Sequence, residues 1–402
     1  MGRDRAGPRS SPVKICFLVS EYFRWGKFGG YGTSTRLLAT ELASRDFEIT
    51  ILTPRRGEQP EEESIDGVRI IAYPAQRLRL LGRHCRALAA DVYHSLEPSF
   101  AAVVARRAVP SAKHVFTCRD TRLFRDWLLE ARSLIRDGSY RALMSFPYEN
   151  NPWVTSAVKA ADGVYCPNYF SREVTQKKYG LDSLPGFLPS PIRIPTGKIA
   201  KADVPTVCFL GRWDTRKRPE LFLNLALEHP DVQFIAIGKA RTEQYEREIR
   251  HRCESLPNVE LAGFIDQFES PRLYELLSTA WVLVNTSLRE GLPRSILEAS
   301  ACGCAILSRV DPDGFASRFG FCADRDNFSE GLRWLLGDER WRGLGEAARD
   351  YVASTYALDM ALDSHVDVYQ SLKSRFRSMD APMDDGRLMD DGCPMDDGRP
   401  HG

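Results

Sequence analysis

The chain has 402 residues, 43% hydrophobic and 27% charged, with a formal net charge of +1. That length is too great for one ordinary core and fits two globular domains of about 150 to 200 residues each. Without an apolar run of about 18 residues, and with a polar, basic first eleven residues, the chain carries no expectation of a spanning helix or a secretory leader, and a cytoplasmic protein is expected. The charge is uneven: residues 378–402 hold seven Asp and two Arg, leaving 53 basic against 47 acidic residues in the body. So weak an excess suits small anionic partners and gives no reason to expect nucleic acid. Ten cysteines show no CxxC or Cys/His ligand spacing; Cys16, Cys166 and Cys208 lie in apolar runs as buried free thiols do, and no metal site is expected.

Residues 1–12 read as a disordered lead-in to a first α/β domain over 13–184. Val13 to Ser20 is a buried-strand run, Glu21 to Gly32 a loop, and Thr33 to Ser44 a helix. Gly29, Gly30 and Gly32 would let the backbone approach a phosphate or sugar, but their spacing is not G-x-G-x-x-G, and the second strand, Ile49 to Pro54, ends without an acidic ribose ligand. Val68 to Ala72 is a strand. Arg77 to Ala90 is a basic amphipathic helix that either packs its Leu78, Leu81, Cys85 and Leu88 stripe on the sheet or meets a membrane surface or acidic acceptor. Asp91 to His94 and Lys113 to Thr117 are further strands, placing His94, Arg119 and Asp120 at strand carboxyl ends, where ligands of open α/β sheets collect. Thr121 to Asn151 is helix-rich with Phe124, Trp127, Tyr140, Phe146 and Tyr148, an acceptor pocket by location.

Four prolines between Leu184 and Thr196 mark a stiff connector over 185–204. A second Rossmann-like domain over 205–358 begins with the strand Pro205 to Leu210. Gly211 and Arg212, then Lys217, follow it in a loop, a planar fork plus a point charge suited to a diphosphate. Val232 to Ile237 ends at Gly238, and Val259 to Ile265 is another strand-like run. The organising stretch is Trp281 to Leu307. A buried strand at Val282 to Val284 leads through a turn to a helix whose amino terminus offers the Gly291 and Leu292 amides to an anion. Glu290 precedes that turn. Glu298 follows two helical turns on, inside an apolar face where an unpaired carboxylate would be costly. The two carboxylates should bracket a ligand without touching each other. Residues 359–377 form a last helix. Residues 378–402, with their MDDGRL, MDDGCP and MDDGRP repeats, should be disordered.

The run E-G-L-P-R-S-I-L-E, with G-R-x-x-x-x-K at Gly211 to Lys217 and the G-G-x-G loop at Gly29 to Gly32, resembles retaining, family-4-type glycosyltransferases of group 1 over roughly residues 13 to 376. The resemblance implies a GT-B fold, two Rossmann-like doubly wound domains facing across a cleft, with the last helix crossing back to the first. It implies a nucleotide-diphosphate sugar as co-substrate with no cofactor, and a carbohydrate, lipid or small-molecule acceptor; the basic stretch Arg77 to Ala90 adds peripheral association with the inner membrane face as a secondary expectation. By the same resemblance Arg212 and Lys217 stabilise the leaving diphosphate, Glu290 holds the donor sugar, Glu298 the ribose, and Gly263, Phe264 and Ile265 the nucleobase. Transfer would retain configuration without a protein nucleophile. Arg119-Asp120 stands where many relatives have His-Asp, and Thr286-Ser287 where they have Pro-Ser. Epimerases, phosphorylases and non-catalytic sugar-nucleotide-binding partners share the cleft and are the alternatives.

Overall fold

The computed structural model describes residues 12–25, 28–136, 146, 150–240 and 242–379. The expectations for residues 1–11, for Tyr140 and Tyr148, and for the repeats of 380–402 lie outside them. The first sheet contains β1 (Val13–Leu18), β2 (Phe47–Pro54), β3 (Glu62–Ile65), β4 (Val68–Tyr73), β5 (Val92–Ser95), β6 (Lys113–Thr117), β7 (Gly163–Cys166) and β8 (Gly186–Phe187), in the order β3-β4-β2-β1-β5-β6-β7-β8. All neighbours run parallel except β3 and β4. The second sheet contains β9 (Thr206–Leu210), β10 (Gln233–Ile237), β11 (Val259–Gly263), β12 (Val282–Asn285), β13 (Ala305–Ser308) and β14 (Gly320–Cys322), in the order β11-β10-β9-β12-β13-β14, all parallel.

Continuous apolar strands such as β1 and β12 are buried because helices cover both faces of a parallel sheet. In the first domain these are α1 (Gly30–Ala43), α2 (Leu78–Leu88), α3 (Phe100–Ala108), α4 (Phe124–Arg136), α5 (Pro152–Lys159) and α6 (Phe170–Tyr179). In the second they are α7 (Pro219–Glu228), α8 (Glu243–Cys253), α9 (Arg272–Thr279), α10 (Arg294–Ala301), α11 (Phe315–Phe319), α12 (Phe328–Leu336) and α13 (Arg340–Thr355). The basic helix α2 turns Leu81 and Cys85 into the core and its arginines outward, the packing alternative of its two readings. Strand β3 was not expected: Glu62–Ile65 is polar and alternately exposed, and only the Asp66-Gly67 turn, with both residues at positive φ, signals its hairpin.

Chain order reverses direction at two places, between β1 and β5 and between β9 and β12. At such a switch point the loops leaving adjacent strands diverge and open a crevice at the strands' carboxyl ends. The loops after β9 and β12, carrying Arg212, Lys217, Glu290 and Gly291, are therefore neighbours by topology. The connector is tied down along its length: Ile192 bridges to Ala357, and Lys201 Nζ donates to the carbonyls of Ala280 and Cys302 at the ends of α9 and α10. The final helix α14 (Leu358–Met379) sends Leu362, Tyr369 and Leu372 into the first domain's core beside Phe17 and Leu38, as the crossing-back helix should.

Candidate active site

A cleft of about 1770 Å³ lies between the two domains, walled by the carboxyl-end loops of both sheets. In the loop after β9, Asp214 Oδ1 accepts from the amides of Arg216 and Lys217, which folds the turn and aims Lys217 inward. Burial works to raise Asp214, but Arg216, Arg212 and Lys217 outweigh it and hold the carboxyl below its ordinary range. Lys217 Nζ donates to Glu290, binding the two loops of the switch point. Arg212 keeps only a loose approach to Asp214, 3.9 Å, and its side chain is partly exposed to the cleft. Gly238 makes this edge possible: its φ is +142°, and a Cβ there would lie 1.9 Å from the Gly211 carbonyl oxygen. Gly263, at φ +73°, accepts from the Gly238 amide, so the two glycine turns stack.

Glu298 is 4% exposed and has its own partners. Arg294 Nε donates to its Oε1 at 2.8 Å, and the Gln267 amide at 3.2 Å. The two glutamates thus do not pair with each other; both line the cleft, flanking Gly291 and Leu292. Arg294 went unnoticed in the sequence, though R-x-x-x-E at helical spacing is a readable ion-pair signal. Its Nη1 also donates to Ser34 of α1 and to the Pro191 carbonyl, so one buried guanidinium joins the donor helix α10, the first domain and the connector.

From the first domain come Gly29, Gly30, Arg119 and Asp120. The glycine loop is not a free anion site: Glu21 Oε1 accepts from the Gly32 amide, and a Cβ on Gly29 would lie 2.3 Å from that oxygen. Gly30 lies against Arg294: a Cβ added to it would come to ordinary contact distance, 3.4 Å from the Arg294 Cβ. Arg119 donates to the Tyr31 carbonyl and to Thr35, while burial, with Arg294 nearby adding to the effect, pushes its guanidinium down to about 10. Asp120 forms an ion pair with Arg289 of the second domain at 2.8 Å, and Asp313 accepts from the Tyr169 and Phe170 amides at the start of α6. Phe28 packs on Phe264 with ring centroids 4.7 Å apart. These contacts bridge the two domains.

Two family profiles match in tandem over this architecture: Glycosyltransferase Family 4 over residues 28–185 and Glycosyl transferases group 1 over residues 195–349. The chain belongs to the group 1 glycosyltransferases. The phosphatidylinositol N-acetylglucosaminyltransferase subunit of Homo sapiens that it matches is 22% identical to it over 320 residues, 75% of this chain and 62% of that protein. The protein of the same name from Arabidopsis thaliana is 25% identical over 156 residues, 37% of this chain and 34% of that one. The chain therefore spans less than two thirds of the length of these relatives. Sucrose-phosphate synthase from Thermosynechococcus elongatus superposes with a TM-score of 0.68 at 16% identity, covering 90% of this chain and all of that one. Anabaena Alr3699/HepE in complex with UDP-glucose gives 0.63 at 15% identity, covering 91% of this chain and all of that one. The shared fold is GT-B.

In this group 1 glycosyltransferase the structure brings Arg212, Lys217, Glu290, Gly291, Leu292, Glu298, Gly211, Gly238, Phe264 and Ile265 to one cleft, with Gly29, Gly30, Arg119 and Asp120 opposite. Gly32 and Gly263, also expected at the site, are not among the lining residues: the Gly32 amide donates to Glu21, and the Gly263 carbonyl accepts from Gly238. His94 is the exception. It is fully buried under α14, with Nδ1 2.7 Å from Tyr369 Oη and Nε2 2.8 Å from Thr117 Oγ1, and burial keeps the ring far below its usual pKa. Its strand-end position is real, but the returning helix covers it. Among the described residues no three His, Cys, Asp or Glu side chains converge as a metal site.

Proposed function

We propose that the chain transfers a sugar from a nucleoside-diphosphate donor to a carbohydrate or lipid acceptor, with retention of anomeric configuration and without a divalent metal. The observation that carries this is the meeting of Lys217, Glu290 and the amino terminus of α10 at the β9/β12 switch point, with Arg212 beside them. A diphosphate placed there meets an ammonium, a guanidinium and the Gly291 and Leu292 amides. Charge developing on the leaving group is then stabilised by groups already in position. Glu290, steadied by Lys217, would orient the sugar, and Glu298, fixed by Arg294 and Gln267, would accept from the ribose hydroxyls. Attack from the face the diphosphate leaves requires no protein nucleophile, so the two carboxylates do not act as a glycosidase pair. The closed interdomain contacts would exclude water and limit hydrolysis.

A lipid acceptor is supported by the name of the Homo sapiens and Arabidopsis relatives and by the surface of α4. Trp127 and Leu129 line the cleft, and Phe124, Leu128 and Leu129 are exposed beside it. Incubation of the purified chain with labelled nucleotide sugars and phosphoinositide or simple glycoside acceptors tests the proposal, with anomeric configuration read by proton NMR. An inverted product would remove the retaining mechanism, and release of free sugar alone would remove the transfer.

A further inference from the structure

We infer that Asn168 reads a ring hydroxyl of the sugar held at Glu290 and Gly291, an assignment that rests on the donor reading above. Asn168 sits between β7 and α6 at the carboxyl edge of the first sheet, 1% exposed, and lines the cleft. Its Oδ1 accepts from the Ser171 amide at 2.8 Å, capping the first turn of α6. An amide N–H can only donate, so the carboxamide cannot flip without losing that cap, and its NH₂ is held pointing away from the helix. That Nδ2 is buried and has no hydrogen-bond partner. Buried donors are nearly always satisfied, and a fixed one left open on a cleft wall calls for an acceptor from a ligand.

The surroundings define which ligand. The point that a Cβ on Gly291 would occupy lies 3.0 Å from the Arg119 carbonyl oxygen, 3.7 Å from Asp120 Oδ1 and 3.9 Å from Asn168 Nδ2. The Asn168 donor and the Arg119 carbonyl therefore face the turn that follows Glu290, with the Asp120 carboxylate, held by Arg289, beside them. A hydroxyl both donates and accepts, so adjacent sugar hydroxyls satisfy this set. A phosphate would meet the carbonyl oxygen and the carboxylate, neither of which can donate to it, and an acyl chain would leave the Asn168 amide unpaired. Because Asn168, Arg119 and Asp120 belong to the first domain and Gly291 to the second, the reading is completed only on closure. Sugar identity is thereby checked at the step that shuts out water.

The test compares Asn168→Asp and Asn168→Ser with the wild-type full-length chain. Both replacements keep an oxygen able to cap Ser171 and remove the NH₂ donor; thermal melting verifies that both fold. Calorimetric titration uses the UDP-, GDP- or ADP-sugar that the wild type binds best from a panel, and its nucleoside diphosphate alone. Both variants should lose on the order of tenfold in the ratio of nucleotide-sugar to nucleoside-diphosphate affinity, and a deoxy analogue lacking the recognised hydroxyl should erase that loss. An unchanged ratio in both variants, with wild-type sugar binding intact, overturns the role of Asn168 alone. A wild type that binds no nucleotide sugar overturns the donor reading and this assignment with it.

Discussion

Arg294→Met removes a buried guanidinium and leaves its surroundings nearly isosteric. It breaks the 2.8 Å contact to Glu298, the 3.0 Å contact to Ser34 and the 2.8 Å contact to the Pro191 carbonyl. Arg294 and Glu298 side chains are 9% and 5% exposed, so solvent cannot take over the orphaned carboxylate. Removing one partner of a buried pair costs about 3 to 5 kcal/mol, because an uncompensated charge stays behind. The surviving Gln267 contact places the expected loss near the lower end, roughly 3 kcal/mol. Urea unfolding of Arg294→Met, Glu298→Gln and the double variant measures it. Neutralising Glu298 in the Arg294→Met background should recover most of the loss, giving a coupling of about 2 kcal/mol. A single-variant loss below about 1 kcal/mol, with additive effects, would show that the pair is not the buried junction described here.

Burial, with Arg119 adding a smaller effect, pushes His365 down to about 4, whereas the unfolded chain takes up that proton near 6.5. The stability that His365 contributes is then complete above about pH 6.5 and falls by roughly 3 kcal/mol as the pH drops to about 4, with buried His94 adding a loss of the same sign, and His365→Gln should make that part of a pH series of urea midpoints shallower; an unchanged slope would refute it. Gly238→Ala places a Cβ against the Gly211 carbonyl at a left-handed φ and should destabilise the second domain by at least about 2 kcal/mol in thermal or urea unfolding, and a neutral result would contradict the packing of the two turns.

Much of the fold was legible because parallel strands buried on both faces announce themselves as apolar runs: β1, β9 and β12 fall where Val13, Thr206 and Val282 begin such runs. The cleft residues were legible because short motifs at strand ends carry their geometry with them. What escaped depends on contacts distant in sequence. Glu21 occupying the amino terminus of α1 and His94 disappearing under Tyr369 are facts of packing that no local pattern states. Other signals were present and unused: the Asp66-Gly67 turn of the β3 hairpin, the Arg294 to Glu298 spacing, and Asn168 three residues before Ser171 as a helix cap. Each is a two-residue pattern, and its weight becomes visible only when the packing shows how buried the groups are.

The central claim is that protein cations and amides at the β9/β12 switch point bind the donor's diphosphate. Calorimetric titration of a nucleotide-sugar panel against the wild type and Lys217→Met, both in excess chelator, tests it most directly. The account predicts saturable binding of at least one nucleotide sugar by the wild type in chelator, weakened by tenfold or more in Lys217→Met, with the unphosphorylated nucleoside unaffected by the substitution. Binding that vanishes in chelator and returns with magnesium or manganese, or affinity equal in the two proteins, would contradict it.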